Sequence, residues 1–509
     1  MRTVTALQMK ELDRIAIEER GIPSLQLMEH AARAAADRAA AVLGDGKEKR
    51  VAVLCGPGNN GGDGVGVARM LLEQGYSVRA FLVGDRSKMT ADTAAMEKKL
   101  LECGGKLEEF DPNDLWFATC DLFVDAVIGI GLHSKVQGSA AQAIEVLERW
   151  GNGKAIALDI ASGIHADTGE DLGNRCRYLE TVTFTAAKPG HFVSWGGAVC
   201  GKLTVADIGI PGDLVEAMDC PITAVDADLV RSYLPQRNPL GHKGDFGKVH
   251  ILGGSVGYTG APVLAAKAAL RTGAGLVSLS VPSSIYNITA VKCDEAMPSP
   301  LPCGKDGSLS EDALMAALYN MAGKSACLVG PGLGNAPGTE ALVCGVVSTV
   351  NYPVVLDADG LNIMAAHKDR LKARKACPTI LTPHDGEFVR LGGDLSHRDR
   401  VKAAVDLARV SGCAIVLKGH GTITALPNGR AFVNTTGNCG MAKGGSGDVL
   451  SGMILALIGQ GINPARAAIA AVWLHGRAGD LAAAEKGEYG MTPSDIIDYI
   501  PYAIREVTE

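Results

Sequence analysis

The chain has 509 residues, of which 64 are glycine; 47% are hydrophobic, 21% charged and only 5% aromatic. This length exceeds what one hydrophobic core usually organises, and the composition excludes a collagen-like or disordered chain, so we expect two large domains. The 49 basic and 56 acidic residues give a net charge of −7, which argues against a broad nucleic-acid surface but permits a local phosphate site.

Cysteine usage and the first residues predict the compartment. The 13 cysteines are scattered singly without a C-x-x-C pair, so we interpret them as reduced, buried thiols rather than a disulfide framework or zinc site. Residues 1–20 lack the apolar core of a signal peptide, and polar residues interrupt every stretch of 18. We therefore expect a cytoplasmic protein without a membrane span.

In the first half, short apolar runs alternate with helical stretches, which predicts a parallel sheet covered on both faces. An amphipathic segment, Leu7–Ile17, precedes them and would either pack across a dimer or cover this sheet. The predicted strands are Val51–Cys55, Val78–Val83, Leu122–Ile128, Ala155–Ile160, Thr181–Thr185 and Leu203–Ile208, and helices are predicted at Leu27–Leu43, Val65–Gln74 and Ala140–Trp150.

A proline-rich break over residues 210–240 separates this series from a second one of the same kind. Two consecutive α/β domains, joined near residues 220–235, follow from this pattern. The second series has predicted strands at Lys248–Leu252, Gly275–Val281, Cys327–Val329, Val354–Leu356, Thr379–Leu381 and Ala414–Leu417, and a late apolar helix at Val449–Gly459.

Three loops at strand ends of the first domain are polar and rich in glycine. The segment GPGNNGGDG (56–64) contains G-x-G-x-x-G, which alone is equally typical of a tight strand-to-helix turn. Its Asn59, Asn60 and Asp63 offer amide and carboxylate oxygens, which suit sugar hydroxyls, a ring substituent or a cation. Asp125 and Asp159 end later strands; each alone would also be typical of a helix cap, but ligands bind at this edge of parallel sheets.

GPGNNGGDG, VDAVIGIG and LDIASGIHADTG resemble the three signature loops of the NAD(P)H-hydrate epimerase family over residues 1–220, and TFTAAKPG extends the similarity. The resemblance implies a Rossmann-like three-layer sandwich and a potassium ion held by Asn60, Asp125 and Ser162. One departure is Ala161, where the family usually has proline, and it removes no functional group. For the hydrated dinucleotide, the resemblance implies contacts from Asn59, Asn60, Gly61, Gly62, Asp63, Gly129, Ile130, Gly131, Leu132, His133, Ser134, Lys135 and Asp159.

Epimerisation at a carbon that bears a hydroxyl group and the ring nitrogen requires ring opening or reversible loss of water. A carboxylate beside the hydroxyl group can carry its proton in either direction. Asp159 is the candidate for this role.

In the second domain, GNCGMAKGGSGD (437–448) precedes the apolar helix, so backbone amides at a helix N-terminus would converge on an anion. Ser446 and Asp448, taken singly, would also be typical N-cap residues. KGHGT (418–422) supplies a cation, glycine turns and a hydroxyl group, and no Walker A sequence occurs. His384, Asp357 and Asp359 follow other strands; the aspartates would hold a divalent ion or cap a helix, and a lone histidine there is commonly a capped surface residue.

GDFGKVHILGGSVGYTGAP, VGPGLG, LDADGLN, LTPHDGEF, KGHGT and GNCGMAKGGSGDVLSG resemble, in order, motifs of the ADP/ATP-dependent NAD(P)H-hydrate dehydratase family over about residues 230–500. The resemblance implies a ribokinase-like α/β domain. It implies substrate contacts from Ala261, Gly334, His384 and Asp448, and adenine-nucleotide contacts from Lys418, Gly419, His420, Gly421, Thr422 and Gly447.

Hydroxide is a poor leaving group, so the hydrate would be phosphorylated before it loses phosphate. Asp448 would accept the hydroxyl proton, Lys418 and the glycine amides would stabilise the phosphoryl group, and Mg²⁺ would bridge nucleotide oxygens. The predicted protein is a bifunctional repair enzyme: an epimerase (1–220) equilibrates the R and S hydrates of NADH and NADPH, and a dehydratase (221–509) restores the S form with ADP or ATP.

Two alternatives remain open at this point. The second domain would be a ribokinase-like kinase for a vitamin precursor or sugar, or the first domain would be a binding module without catalysis. The fused organisation resembles prokaryotic members, which favours ADP, and family resemblance favours a homotetramer. No nucleic-acid or membrane partner is expected.

Overall fold

The computed structural model of the protein describes residues 1–374 and 377–509. The chain forms two compact units, one spanning residues 2–222 and the other comprising Met1 and residues 223–509. Strands and helices are numbered in chain order below.

The first unit is built on a seven-stranded sheet of order β3-β2-β1-β4-β5-β6-β7, with every neighbouring pair parallel. Val51 of β1 lies opposite Val78 of β2 on one side and Leu122 of β4 on the other. The strands are β1 Arg50–Cys55, β2 Ser77–Leu82, β3 Leu107–Glu109, β4 Leu122–Ala126, β5 Ala155–Leu158, β6 Glu180–Phe184 and β7 Lys202–Ala206.

Helices cover both faces of this sheet. Buried residues of α1, α2 and α3 form one core with the strands, and buried residues of α5 form another with Phe117 and Phe123. The Rossmann-like three-layer sandwich is therefore confirmed. The helices are α1 Ala6–Arg14, α2 Ser24–Leu43, α3 Asn59–Glu73, α4 Ala91–Glu102, α5 Gly138–Val146, α6 Ser194–Val199 and α7 Gly212–Ala217, with π-helical turns at Ile15–Glu19 and Leu147–Gly151.

The sheet order reverses between β1 and β4, which places a crevice at the carboxyl ends of these two strands. The backbone segments at Gly56 and Val127 approach each other closely here. A Cβ added to Gly56 would lie 2.0 Å from the carbonyl oxygen of Val127. The helix predicted at Val65–Gln74 in fact begins at Asn59, so its predicted start is wrong. The glycine-rich segment is thus the first turn of α3.

The second unit has a ten-stranded sheet of order β11-β10-β9-β12-β13-β14-β15-β16-β17-β8. Its pairs are parallel from β11 to β15, whereas β16 and β17 continue the sheet in antiparallel pairing, which the sequence did not predict. The strands are β8 Ile222–Ala224, β9 Lys248–Leu252, β10 Leu276–Pro282, β11 Met297–Leu301, β12 Ala326–Val329, β13 Val354–Leu356, β14 Thr379–Leu381, β15 Ala414–Leu417, β16 Ile423–Ala425 and β17 Ala431–Val433.

One large core joins this sheet to α9, α17, α18 and α19. Helix α17 is almost entirely apolar, and Val449–Gly459 are all buried, whereas α19 buries only one face, which includes Ile496, Ile500 and Val507. The helices are α8 Ala227–Tyr233, α9 Gly260–Arg271, α10 Tyr286–Lys292, α11 Ala313–Met321, α12 Pro337–Thr349, α13 Asp359–Ala366, α14 Lys368–Ala373, α15 Asp385–Arg390, α16 Arg400–Ser411, α17 Ser446–Gly459, α18 Pro464–Gly490 (interrupted at Gly487) and α19 Pro493–Thr508.

The structure also bears on the expectations about membrane spans and cysteine burial. Within the described residues, no helix is long and apolar enough to span a bilayer. Seven cysteines are buried as expected, but Cys103 and Cys439 are exposed, so the expectation of uniform burial is wrong for these two.

Candidate active sites

The first predicted loop puts an unpartnered amide at the crevice. Asn60, in the first turn of α3, faces Gly129, the residue whose added Cβ would lie 3.3 Å from the Asn60 Cβ. The oxygen and nitrogen of the Asn60 amide are buried, and neither has a hydrogen-bond partner in the described part of the chain. A buried amide without partners is costly unless a ligand satisfies it.

Asp125 and Ser162, two of the predicted cation ligands, are in direct contact. The Ser162 hydroxyl donates to Asp125 Oδ1 at 2.5 Å, and the Ser162 amide and the Tyr178 hydroxyl donate to Oδ2 at 2.9 and 2.6 Å. Burial raises the pKa of Asp125, although these hydrogen bonds oppose the shift. The carboxyl group therefore lies in a polar but closed environment at the end of β4.

Asp159 forms an ion pair with a lysine that sequence reasoning did not single out. Lys188 Nζ donates to Asp159 Oδ1 and, at 2.9 Å, to Thr183 Oγ1, which itself donates to Asp159 Oδ1 at 2.9 Å. Burial acts to raise the pKa of Asp159, but the Lys188 charge, together with the hydrogen bonds from Lys188 and Thr183 and the His191 ring, lowers the pKa below its usual value. Asp159 has φ +62°, and this left-handed conformation ends β5 before the predicted Ile160.

His191 completes the surroundings of Asp159. Its Nε2 lies 2.8 Å from the Asp159 carbonyl oxygen, and its Nδ1 accepts the Lys188 amide at 3.0 Å. Burial, followed by the Lys188 charge, lowers the pKa of His191 to about 4, so the ring is neutral near pH 7. Lys188 lies in the TFTAAKPG stretch (183–190), to which no role was assigned, and His191 directly follows that stretch.

Two more carboxyl groups act electrostatically on Asp159. Asp63, predicted to contact substrate, is buried, and burial followed by the charges of Asp159 and Asp13 raises its pKa well above the usual value. Burial and the neighbouring carboxylates therefore disfavour the charged form of Asp63, and its contact with the substrate stays a prediction. Asp13 comes from α1, where the sequence analysis named no site residue; burial raises its pKa to about 6.

The segment Gly129–Lys135 forms an open loop after β4. Its His133 ring lies 5.9 Å from the ring of His165, so the second and third predicted loops meet. Asp167 of the third loop accepts the Ala6 amide at 2.7 Å, which fixes the start of α1. Met9 and Leu12 of α1 are buried in the core of the unit, so this helix covers the sheet, as one of the two predicted alternatives stated.

In the second unit, Lys418 lies among acidic groups. Its Nζ donates to Asp357 Oδ1 at 3.0 Å and lies 4.0 Å from Glu387 Oε2. A Cβ added to Gly447 would lie 3.3 Å from the same Nζ, so the KGHGT and GGSGD loops converge. Burial acts to lower the pKa of Lys418, but Asp357 and Glu387 raise it above its usual value.

Asp448 lies in the first turn of α17 beside this cluster. Burial, and then repulsion from Asp357, raise the pKa of Asp448 to about 7. A carboxyl group with a pKa near the working pH is well suited to general-base catalysis. This pKa is compatible with the predicted role of Asp448 as the base, which stays a prediction.

Ser446 is not an N-cap. The residue in that position is Gly445, at φ +103°, and Ser446 is the first residue of the helix. The Ser446 hydroxyl oxygen and the Nε2 atom of His475 are buried without hydrogen-bond partners among the described residues. Burial lowers the pKa of His475 to about 4, so a neutral ring lies in the same region as this helix start.

The loop of residues 437–448, called the anion loop below, is hydrogen-bonded to α18. Sequence reasoning missed this contact. Asp480 accepts the Gly437 amide at 3.0 Å and the Asn438 side-chain amide at 2.9 Å. Lys443, within the loop, donates to the Tyr489 carbonyl at 2.8 Å and to the Met491 carbonyl. Its charge is therefore bound to α18, and Lys418 is the lysine that faces the acidic cluster.

The remaining predicted substrate contacts are Gly334, Ala261 and His384. Gly334 donates its amide to Asp359 Oδ2 at 2.8 Å, and Ala261 contacts the same turn, since a Cβ on Gly332 would lie 3.2 Å from its Cβ. His384 caps α15 by accepting the Gly386 amide at 3.0 Å and is largely exposed.

The KGHGT loop is closed by its own threonine. Thr422 Oγ1 donates to the Gly419 carbonyl at 3.0 Å and lies 3.3 Å from the Gly419 amide. The intervening His420 is exposed. Lys418 follows the end of β15, and this turn leaves its side chain directed towards Asp357.

Two family patterns match the chain, one in each unit. Residues 24–190 match the YjeF-related protein N-terminus, and residues 249–502 match NAD(P)H-hydrate dehydratase. A bifunctional NAD(P)H-hydrate repair enzyme from Moorella thermoacetica is 40% identical over 100% of this chain and 98% of its own length. The chain belongs to the family of bifunctional NAD(P)H-hydrate repair enzymes.

A solved structure of ribokinase-like fold is similar to the second unit. A ribokinase-like superfamily protein from Enterococcus faecalis covers 56% of this chain and 96% of its own, with 24% identity and a TM-score of 0.50. An ADP/ATP-dependent NAD(P)H-hydrate dehydratase from Bacillus subtilis, crystallised with ATP and Mg²⁺, covers 57% of this chain and 100% of its own, with 30% identity and a TM-score of 0.48. The ribokinase-like fold and the bifunctional repair activity predicted from the motifs are confirmed, and the kinase alternative is not supported.

Proposed function

We propose that residues 1–220 epimerise the R and S hydrates of NADH and NADPH, and that residues 221–509 dehydrate the S form. The two family matches support this division, because each falls within one compact unit. The observation that carries it is the opposite chemistry of the two sites: a carboxylate paired with a buried lysine in the first, and a lysine among buried carboxyl groups in the second.

In the epimerase unit, Asp159 would accept the hydroxyl proton of the hydrate and return it. Its low pKa keeps it ionised, and its left-handed backbone directs it away from β5. Asn59–Asp63 and Gly129–Lys135 follow the two strands that flank the crevice, where they would contact the dinucleotide.

A potassium ion fits the residues near Asn60. The Asn60 amide oxygen is buried without a partner, and the Asp125 carboxyl group and the Ser162 hydroxyl adjoin the same crevice. Asn60, Asp125 and Ser162 would hold the ion, which would supply fixed positive charge beside the hydrated ring. Asn60→Ala should abolish activation of epimer exchange by K⁺; retained activation would contradict this assignment.

In the dehydratase unit, Asp448 would take the hydroxyl proton as that oxygen attacks the terminal phosphorus of the nucleotide. Phosphate then leaves with the electron pair of its carbon–oxygen bond, and a proton lost from the adjacent carbon restores the ring double bond. Lys418, the Gly447 amide and the start of α17 would stabilise charge on the phosphoryl oxygens.

Magnesium fits the acidic cluster around Lys418. Asp357 and Asp359 both act to raise the pKa of Asp448, so negative charge there exceeds what Lys418 compensates. Asp357 and Asp359 would hold the ion, which would neutralise nucleotide oxygens during transfer. The hydrate would be contacted by Ala261, Gly334 and His384. The adenine nucleotide would be contacted by Lys418–Thr422 and Gly447.

We further propose ADP as the preferred nucleotide, a cytoplasmic location and a homotetramer. The fused organisation supports the preference for ADP. The seven buried free thiols support the cytoplasmic location, and family resemblance supports the homotetramer. Substrates are NADHX, NADPHX and an adenine nucleotide.

A mixture of hydrate epimers incubated with ADP or ATP, each with and without Mg²⁺ and K⁺, tests the whole proposal. We expect recovery of reduced-nicotinamide absorbance with ADP and Mg²⁺, and K⁺-dependent clearance of the R form. Accumulation of a phosphorylated product without recovered absorbance would contradict the dehydratase assignment.

A further inference from the structure

The first unit gathers three aspartates that come from three different elements. Asp159 follows β5, Asp63 lies in α3, and Asp13 lies in α1. Each acts electrostatically on at least one of the others, and Lys188 acts on both Asp13 and Asp159. Such a cluster of carboxyl groups exceeds what binding a neutral hydroxyl group requires.

Contacts on both sides of Asp159 fix α1 over the site. Thr3 forms a parallel bridge with Ala187, the residue before Lys188, and the Val4 amide donates to the Ala187 carbonyl at 2.9 Å. On the other side, the Ala6 amide donates to Asp167. The buried Leu12 then directs α1 so that the adjacent Asp13 is half-buried.

The two faces of the reacting carbon explain why a second carboxyl group is needed. Ring opening removes a proton from the hydroxyl oxygen and adds one to the ring nitrogen, and ring closure on the opposite face reverses both transfers. One ionised and one protonated group, positioned on different elements, satisfy this requirement. Asp159 is the ionised member, because Lys188 pairs with it.

We propose that Asp13 is the second proton-transfer group of epimerisation, acting together with Asp159; this rests on the proposed epimerase function of the first unit. Asp159 takes the hydroxyl proton as the carbon–nitrogen bond breaks, and Asp13 gives its proton to the ring nitrogen, which keeps the electron pair. After rotation, the nitrogen attacks the other face of the new carbonyl, Asp13 recovers its proton, and Asp159 returns the other to oxygen.

Charged groups around Asp13 agree with this assignment. Burial raises its pKa, Lys188 lowers it, and Asp159 raises it, with a result of about 6. Asp63 also faces this group, with its own pKa raised well above the usual value. On α1 itself, Arg14 is bound to Glu11, Glu18 and Glu19.

Asp13→Asn in the full-length chain tests the proposal. Epimer exchange, followed by chromatographic separation of the two hydrates, should fall by about 10²- to 10⁴-fold, whereas Asp13→Glu should retain part of it. Glu11→Gln, on the exposed side of α1, should leave exchange unchanged. Denaturant titration of the same variants, followed by the fluorescence of Trp116, Trp150 and Trp195, reports whether the first unit is folded.

The pH profile separates proton transfer from a structural role. In the wild type, kcat/KM for exchange should fall above pH about 6, as Asp13 loses its proton, and Asp13→Asn should remove this limb. Wild-type exchange in Asp13→Asn, or a wild-type profile that is flat through pH 6, would overturn the proposal. Absence of exchange in the wild type would instead contradict the epimerase function itself.

Discussion

Both units contain a buried aspartate–lysine pair, but the two pairs face the ligand in opposite ways. In the first unit the Lys188 side chain is 0% exposed and Asp159 is 13% exposed; in the second, Asp357 is 2% exposed and Lys418 is 22% exposed. The first pair therefore offers a carboxylate to its site and the second an ammonium group. In the proposed mechanisms, the same pair of residue types would serve proton transfer in one unit and phosphate binding in the other.

The largest effect should come from the base of the second site. Asp448→Asn removes the acceptor of the hydroxyl proton, so dehydration of S hydrate should fall by about 10²- to 10⁴-fold, while nucleotide binding measured by calorimetry persists. Asp369→Asn, at a side chain that is 99% exposed, is the matched control. Undiminished turnover of Asp448→Asn would contradict the assignment.

Replacing Lys188 or Lys418 by methionine tests whether the two aspartate–lysine pairs have different roles. Lys418→Met should reduce dehydration by about 10²- to 10³-fold, because phosphoryl charge loses its cation, and it should weaken nucleotide affinity. Lys188→Met should leave nucleotide affinity unchanged and abolish epimer exchange. Equal weakening of nucleotide affinity by both variants would break the distinction between the two pairs.

Stability should distinguish the pairs as well. Lys188→Met leaves Asp159 as a buried charge without its partner, which costs about 3–5 kcal/mol in the free energy of unfolding. The double variant Lys188→Met/Asp159→Asn should regain most of this loss without regaining exchange. Denaturant titration followed by tryptophan fluorescence suits the measurement, since Trp116, Trp150 and Trp195 lie in the first unit. No recovery in the double variant would show that the pair is not the cause.

The smallest predicted effect is a difference in pH dependence between the two activities. Asp448 must be ionised to act as a base, so kcat/KM for dehydration should rise with pH up to about 7 and then level. Epimer exchange should instead decline above about pH 6, where Asp13 loses its proton. Parallel profiles for both activities of one preparation would contradict the opposite roles assigned to these carboxyl groups.

Much of the fold could be predicted because buried parallel strands are continuous apolar runs. Lys248–Leu252 and Ala414–Leu417 match the structure at both ends. The strand β3 was missed because two of its three residues are glutamate, and β11 was missed because it contains two prolines. The short antiparallel strands β16 and β17 were also missed. The end of β5 was misplaced because Asp159 takes up a left-handed conformation that a hydrophobic pattern does not reveal.

Site residues were predictable where glycine-rich motifs surround them, as for Asn60 and Asp448. Lys188 and Asp13 were not, since each owes its place to tertiary packing: Lys188 lies beneath Asp159, and α1 brings Asp13 from the start of the chain. Asp480 was missed for the same reason, because it contacts Gly437 of the anion loop across 43 residues of sequence.

The most direct test of the account is a progress curve of mixed R and S hydrates with ADP, Mg²⁺ and K⁺, comparing the wild type with Asp159→Asn. The wild type should convert the whole mixture to NADH. Asp159→Asn should convert the S form at the wild-type rate and then stop, apart from uncatalysed exchange, with the R form remaining. Complete conversion by Asp159→Asn at the wild-type rate would contradict a carboxylate-based epimerase in the first unit.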